Sequence, residues 1–336
     1  MRSLAIAALL TVAFVCDMAP AAAEQGEVKI VKQYGLPYLP LMVMESEKLV
    51  EKHAEAAGLG AVKLTLVTVN GAAEAADVLL SNTADIIGSG ATALATLWVK
   101  TKGTPNEIKG MTALQSMPFY LMTRNPAVKT LKDFSDADRI ALPAVKITIQ
   151  ALVLEMAAAQ LWGEANYDKL DRLTVTMTHP QAALALLSGK TEIDAHFGVA
   201  PYYWEEMADP AIHVVLKSYD VLGGPHMNGV LITTRRFHDD NPKLYAAVIA
   251  AQREANALIK RDPAKAAEIY LRLANDKKNS LETMTRMVSD PDFDYTIVPL
   301  KVAMFADFMQ RVGRLPAKPA SWRDLFFADI HDLPGS

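Results

Sequence analysis

Apolar positions along the chain switch between two periods. Short runs rich in Val, Ile and Leu predict strands at residues 28–33, 62–69, 84–88, 139–142, 173–177, 193–197 and 229–234. Between them, apolar residues recurring every three or four positions predict helices at 41–57, 72–81, 92–101, 149–162 and 181–188. From about Pro242 the pattern is almost wholly helical. Asn241-Pro242 and Asp262-Pro263 each set a capping side chain before a proline suited to the first helical position. Alternation of strand and helix predicts an α/β fold with mostly parallel sheets.

One unit of this pattern occurs twice. Residues 67–86 read VTVNGAAEAADVLLSNTADI and residues 175–195 read VTMTHPQAALALLSGKTEIDA. Each gives a strand, a polar turn, an Ala-rich helix ending in LLS, a threonine, and a second strand opened by Asp85 or Asp194. The units lie about 108 positions apart, which predicts two lobes built alike.

The first residues address location. M-R-S precedes an apolar run from Leu4 to Val15, and P-A-A-A-E follows from Pro20 to Glu24. A positive start, an apolar stretch and an A-x-A end predict a signal peptide, residues 1–23. The run is shorter than the roughly 20 residues a membrane span needs. Cys16 ends it, but Val15 is a poor fit to the small residue that lipid anchoring wants there, so an exported, unanchored, soluble protein is expected.

Composition narrows the function classes. The 336 residues are 51% hydrophobic and 21% charged, which excludes a disordered or low-complexity chain. A net charge of −4 without a basic cluster argues against nucleic acid. Cys16 is the single cysteine, so an intrachain disulfide, Cys-based metal sites and CxxC chemistry are excluded.

With a signal peptide, an opening strand followed by G-L-P-Y-L-P-L and two A-L-L-S-x-x-x-x-D-like units, the chain resembles the substrate-binding proteins of ABC importers. The nitrate, sulfonate and taurine class is the nearest, a group related to thiamine-pyrimidine-precursor binding proteins. The likeness covers roughly Val28 to Leu271. It implies a two-lobed, hinged periplasmic-binding-protein fold of type II, with the C-terminal helices on lobe one. The chain would form lobe one over 24–122, lobe two over 123–224, and return to lobe one over 225–336. The crossings are expected near 122–125 and 223–228, where Gly223-Gly224-Pro225 suits a sharp connection. The resemblance further implies a periplasmic monomer that captures a small molecule and hands it to an ABC permease and its ATPase subunits, without a cofactor or catalysis.

Ligands of open α/β sheets bind where strands pass into helices, and free N–H groups at helix starts suit anions. Gln33, Tyr34, Gly35 and Tyr38 follow the first strand, Asn70 and Gly71 the second, and Ser89, Gly90 and Thr92 the third. In lobe two, Lys146 and Thr148 follow the fourth strand, while His196 and Phe197 close the sixth. Asn228 and His226 flank the return crossing. Of these, Gln33, Tyr34, Ser89, Thr92, Lys146 and His196 are expected to touch ligand; His179 is expected to cap a helix or face solvent. None of these loops holds an arginine, the usual bidentate partner of a dianion. A monoanion, or a small organic molecule lying against Tyr34 and Phe197, fits better.

Three rival readings remain. Gly88-Ser89-Gly90-Ala91-Thr92-Ala93 matches the dinucleotide pattern G-x-G-x-x-A. It sits in the third strand unit, however, with Glu107 in a polar loop rather than at a strand end. Thiamine-pyrimidine synthases share the implied fold but carry a cysteine-rich motif that is absent here. A sensor that presents a bound solute to a membrane receptor would use the same architecture.

Overall fold

The computed structural model describes residues 23–190 and 192–336. The expected signal peptide up to residue 22, Cys16 and Thr191 of the repeat lie outside the described residues. Lobe one opens with β1 (Glu27–Lys32), then α1 (Leu39–Ser46) and α2 (Leu49–Ala56). The single helix expected over 41–57 is broken at Lys48, whose φ of 51° is left-handed. Next come β2 (Lys63–Thr68), α3 (Ala72–Leu80), β3 (Ile86–Ser89), α4 (Ala91–Thr101) and β4 (Ile108–Ser116).

The passage to the second sheet occupies residues 117–119, ahead of the 122–125 expected. Lobe two contains β5 (Tyr120–Thr123), β6 (Ile140–Leu142), α5 (Ile149–Trp162), β7 (Thr174–Thr176) and α6 (His179–Ser188). β8 (Ala195–Gly198), α7 (Tyr202–Met207), β9 (His213–Lys217) and α8 (Ser218–Leu222) complete it. β10 (Met227–Thr234) re-enters the first sheet, followed by α9 (Arg235–Asp240), α10 (Pro242–Arg261), α11 (Pro263–Leu273), α12 (Leu281–Val288) and α13 (Val302–Arg311). Proline does stand first in α10 and α11, and Asp262 accepts from the Lys265 N–H. α10 and α11 pack on α1, and α10 also on α2; α13 lies against α4 and α5.

Both sheets have one plan. The orders are β2-β1-β3-β10-β4 and β7-β6-β8-β5-β9. In each, the first three strands are parallel and a strand from beyond the crossing is inserted antiparallel. The repeated aspartates do the same job twice. The N–H of Lys29 donates to Asp85 Oδ2 at 2.7 Å, and the N–H of Arg139 to Asp194 Oδ2 at 3.1 Å. The reverse backbone bonds, Asp85 N–H to Lys29 O and Asp194 N–H to Arg139 O, are both 3.0 Å. Thr233 on β10 and Thr123 on β5 then donate their hydroxyls to the Asp85 and Asp194 carbonyls. Each aspartate thus ties the inner strands together, which is a structural role.

Candidate functional site

Three helix starts and one strand converge between the sheets. Gln33, Tyr38, Ala72, Gly90, Thr92 and Asn228 approach from the first lobe, and Thr148, Ile149 and Gln150 from the second. They enclose a cavity of about 40 Å³, room for little more than water. A Cβ placed on Gly90 would lie 3.4 Å from Ile149 Cβ, so the lobes are shut against each other here. A larger solute enters only if they part.

The polarity of this cavity follows from how its helices begin. α3 and α4 start after Gly71 and Gly90, which have no side chain to cap them, so their first N–H groups are left for another acceptor. Thr148 caps α5 only partly, accepting from Ala151 N–H at 3.4 Å while donating to Ala144 O at 3.1 Å. Elsewhere Thr234 caps α9, Asp262 α11 and Ser280 α12, while α2, α10 and α13 also begin without a side-chain cap; what sets α3 and α4 apart is that their uncapped starts face the cavity. Asn228, only 7% exposed, aims Nδ2 at no hydrogen-bond partner among the described residues, and buried Ser89 Oγ also lacks one. Gln33 Nε2 and Tyr38 OH each donate to Gly88 O at 3.4 Å. Burial raises the Tyr38 pKa, which keeps it a phenol. Among the described residues no charged side chain lines the cavity. The arrangement offers neutral donors to one small electronegative group.

The fold has close relatives in shape. The alkanesulfonate-binding protein SsuA from Xanthomonas axonopodis pv. citri, solved with MOPS, superposes with a TM-score of 0.69 at 18% identity, covering 88% of this chain and 96% of that one. The periplasmic aliphatic sulphonate binding protein SsuA from Escherichia coli gives 0.65 at 16%, over 90% and 92%. The periplasmic nitrate-binding protein NrtA from Synechocystis gives 0.67 at 15%, over 87% and 83%. No family model matches the chain, and no curated protein does. This is the periplasmic-binding-protein fold.

In that fold the cavity lies at the meeting of the lobes, and six of the expected residues reach it: Gln33, Tyr38, Gly90, Thr92, Thr148 and Asn228. Gly71 stands beside it as the residue before α3, and Gly35 packs against Ala200 of lobe two. Ser89 is buried one residue before Gly90. The remaining expectations need correction. Tyr34 and exposed Asn70 bond to each other at 3.4 Å without lining the cavity. Lys146 has a left-handed φ of 63°, and its side chain turns outward, 64% exposed, with Nζ 3.8 Å from Asp171 Oδ2. It borders an outer groove of about 500 Å³ instead. His196 is fully buried between His179 and Glu206. Phe197 is equally buried and meets Phe119 edge-on at 6.1 Å. His179 is no surface residue either, being 7% exposed.

Sequence reasoning passed over three lining residues, apolar Ala72 and Ile149 and polar Gln150; Gln150 is the one with hydrogen-bonding capacity. Its signal was its place two residues after the cap Thr148, on the first turn of α5. The glycines of the G-x-G-x-x-A match have packing reasons. A Cβ on Gly88 would press to 2.9 Å from the Tyr38 ring, and Gly90 faces Ile149. Glu107, the acid downstream, is ion-paired with Arg235.

Proposed function

We propose that this chain is the exported solute-binding component of an ABC importer, closing two lobes over a small monoanion and presenting it to a membrane permease. Residues 1–23 serve as the export signal in this reading, and the lobes divide where the chain passes between the sheets, at residues 117–119 outward and 223–226 on the return. The observation that carries it is the unpartnered Asn228 Nδ2, set among the uncapped starts of α3 and α4 in a cavity free of charged side chains. A monoanion would supply the acceptors these donors lack, and touching both lobes it would stabilise the closed state. A dianion would want a compensating cation, which the lining does not provide. Structural relatives that bind sulfonate or nitrate are consistent with this reading.

A thermal-shift screen of residues 24–336 tests it. A monoanion present at about 100 times its Kd adds roughly 2.7 kcal/mol of stability, a readily resolved rise in Tm. A response confined to nicotinamide dinucleotides, with none to any anion, would overturn the reading.

A further inference from the structure

Behind the cavity, lobe two holds a buried row of four polar side chains. Gln150, 5% exposed, lines the cavity, and its Nε2 lies 3.2 Å from His179 Nε2. His179 Nδ1 lies 2.9 Å from His196 Nε2, and His196 Nδ1 lies 2.5 Å from Glu206 Oε1. Glu206 is wholly buried, and its Oε2 has no partner among the described residues. Both rings are held in place: His179 stacks on Tyr202, and a Cβ on Gly198 would come within 2.9 Å of His196 Cε1.

The fold does not require this row. β3 pairs Ile87 with Val31 just as β8 pairs His196 with Ala141, and α3 starts at Ala72 where α6 starts at His179. Lobe one therefore builds the same layer from apolar side chains. Polar and titratable groups substituted there are destabilising unless every member is bonded, so a purely structural role is a poor account of them.

The protons can be placed by donor chemistry. An amide NH2 only donates, so His179 Nε2 accepts from Gln150 and the His179 proton sits on Nδ1. That proton goes to His196 Nε2, whose own proton on Nδ1 goes to Glu206. Burial lowers the His179 pKa well below the ordinary value and keeps its ring neutral.

We infer that the His179–His196–Glu206 row fixes the Gln150 amide with its NH2 inward and its Oε1 toward the cavity, so that the solute must bring an N–H or O–H donor as well as its anionic group. Gln150 is then the specificity-determining residue, and the other three position it. The inference rests on the anion reading of the same cavity. The two ends of the solute divide the work: the helix starts and Asn228 Nδ2 take the anion, and Oε1 takes the donor.

Two measurements test this. In 15N-histidine-labelled protein, the ring nitrogens of His179 and His196 are expected to report Nδ1–H tautomers, and an Nε2–H tautomer on either ring overturns the row without reference to any ligand. Calorimetry then compares 2-aminoethanesulfonate with ethanesulfonate, and lactate with propanoate. One retained hydrogen bond predicts a preference of about tenfold for the donor-bearing member of a pair. Glu206→Gln, isosteric and able to donate to His196 Nδ1, reverses the row and removes or inverts that preference; Gln150→Leu loses it. Equal affinities within each pair, or a preference unchanged in both variants, overturn the inference and leave the anion reading intact. Binding of none of the four probes overturns both.

Discussion

The backbone N–H of Leu36, just past β1, donates to the carbonyl oxygen of Ala200, just past β8, at 2.8 Å. A direct bond of this kind between lobes makes the closed arrangement depend on how near the two chains can come. Gly35 permits that approach. Its φ of 105° is open to glycine alone, and a Cβ there would lie 2.9 Å from Ala200 O and 3.0 Å from Val199 Cγ2. Gly35→Ala is expected to disfavour closure by about 1–3 kcal/mol. Affinity should fall by a matching factor of roughly 10 to 100. Small-angle scattering with ligand should show a molecule that stays extended; a variant that binds and compacts like the wild type removes Gly35 from the closure argument.

Asn228 separates binding from folding. Its buried Nδ2 has no hydrogen-bond partner among the described residues, so Asn228→Ala should change the Tm measured without ligand little. Loss of one donor to an anion is expected to weaken binding by about tenfold. Asn228→Asp places a negative charge beside the ligand and should weaken it further. Calorimetric titration of both variants with one monoanion checks the order, and equal affinities for wild type and both variants would exclude Asn228 from the site.

Much of the fold was legible because its signals are local. The parallel strands are short apolar runs, and the α10 and α11 starts are written in Asn241-Pro242 and Asp262-Pro263. β4 was not legible, since Gly110, Thr112 and Gln115 interrupt its apolar run. Those residues are buried for tertiary reasons: the Phe326 ring occupies the space a Cβ on Gly110 would need, and Thr112 bonds Gln252 at 2.5 Å. The cavity was legible where a strand runs through a glycine into a helix, at Gly71 and Gly90. Direction was not. Lys146 faces outward, at a left-handed backbone angle, and His196 faces inward because of strand alternation against α6 and α7. The partners of Gln150 come from three separate elements, and only the sheet order brings them together.

Lys146 gives the converse prediction to Asn228. Its ammonium is mostly exposed and paired loosely with Asp171, a contact worth well under about 1 kcal/mol. Lys146→Ala is expected to leave anion affinity within about threefold of the wild type. A tenfold or greater loss would bring the outer groove into the binding site.

The hinge predicts a pH dependence. Ser218 Oγ accepts from the Phe119 N–H at 2.9 Å, in the outward crossing, and lies 2.8 Å from His226 Nε2, in the return. His226 Nδ1 meets Met227 O at 3.1 Å, so the ring is neutral with Nε2 as acceptor, and the two crossings are joined through one serine. Burial lowers the His226 pKa from 6.5 to about 4, opposed by the Met227 carbonyl and aided by Lys301. Above pH 6.5 the ring is neutral folded and unfolded, and contributes nothing to the slope. Below it, the unfolded chain takes up a proton that the folded chain refuses until about pH 4. Stability therefore falls as pH drops through that window, by up to about 1.4 kcal/mol per pH unit for this group. Buried His179 acts in the same direction. Glu155, whose pKa burial pushes up to about 8, acts in the opposite sense over this range, so the His226 contribution is read from the difference: in melting curves between pH 7 and pH 5 the wild type should lose more stability than His226→Gln. An identical slope in wild type and variant would mean that His226 is free to charge in the folded hinge.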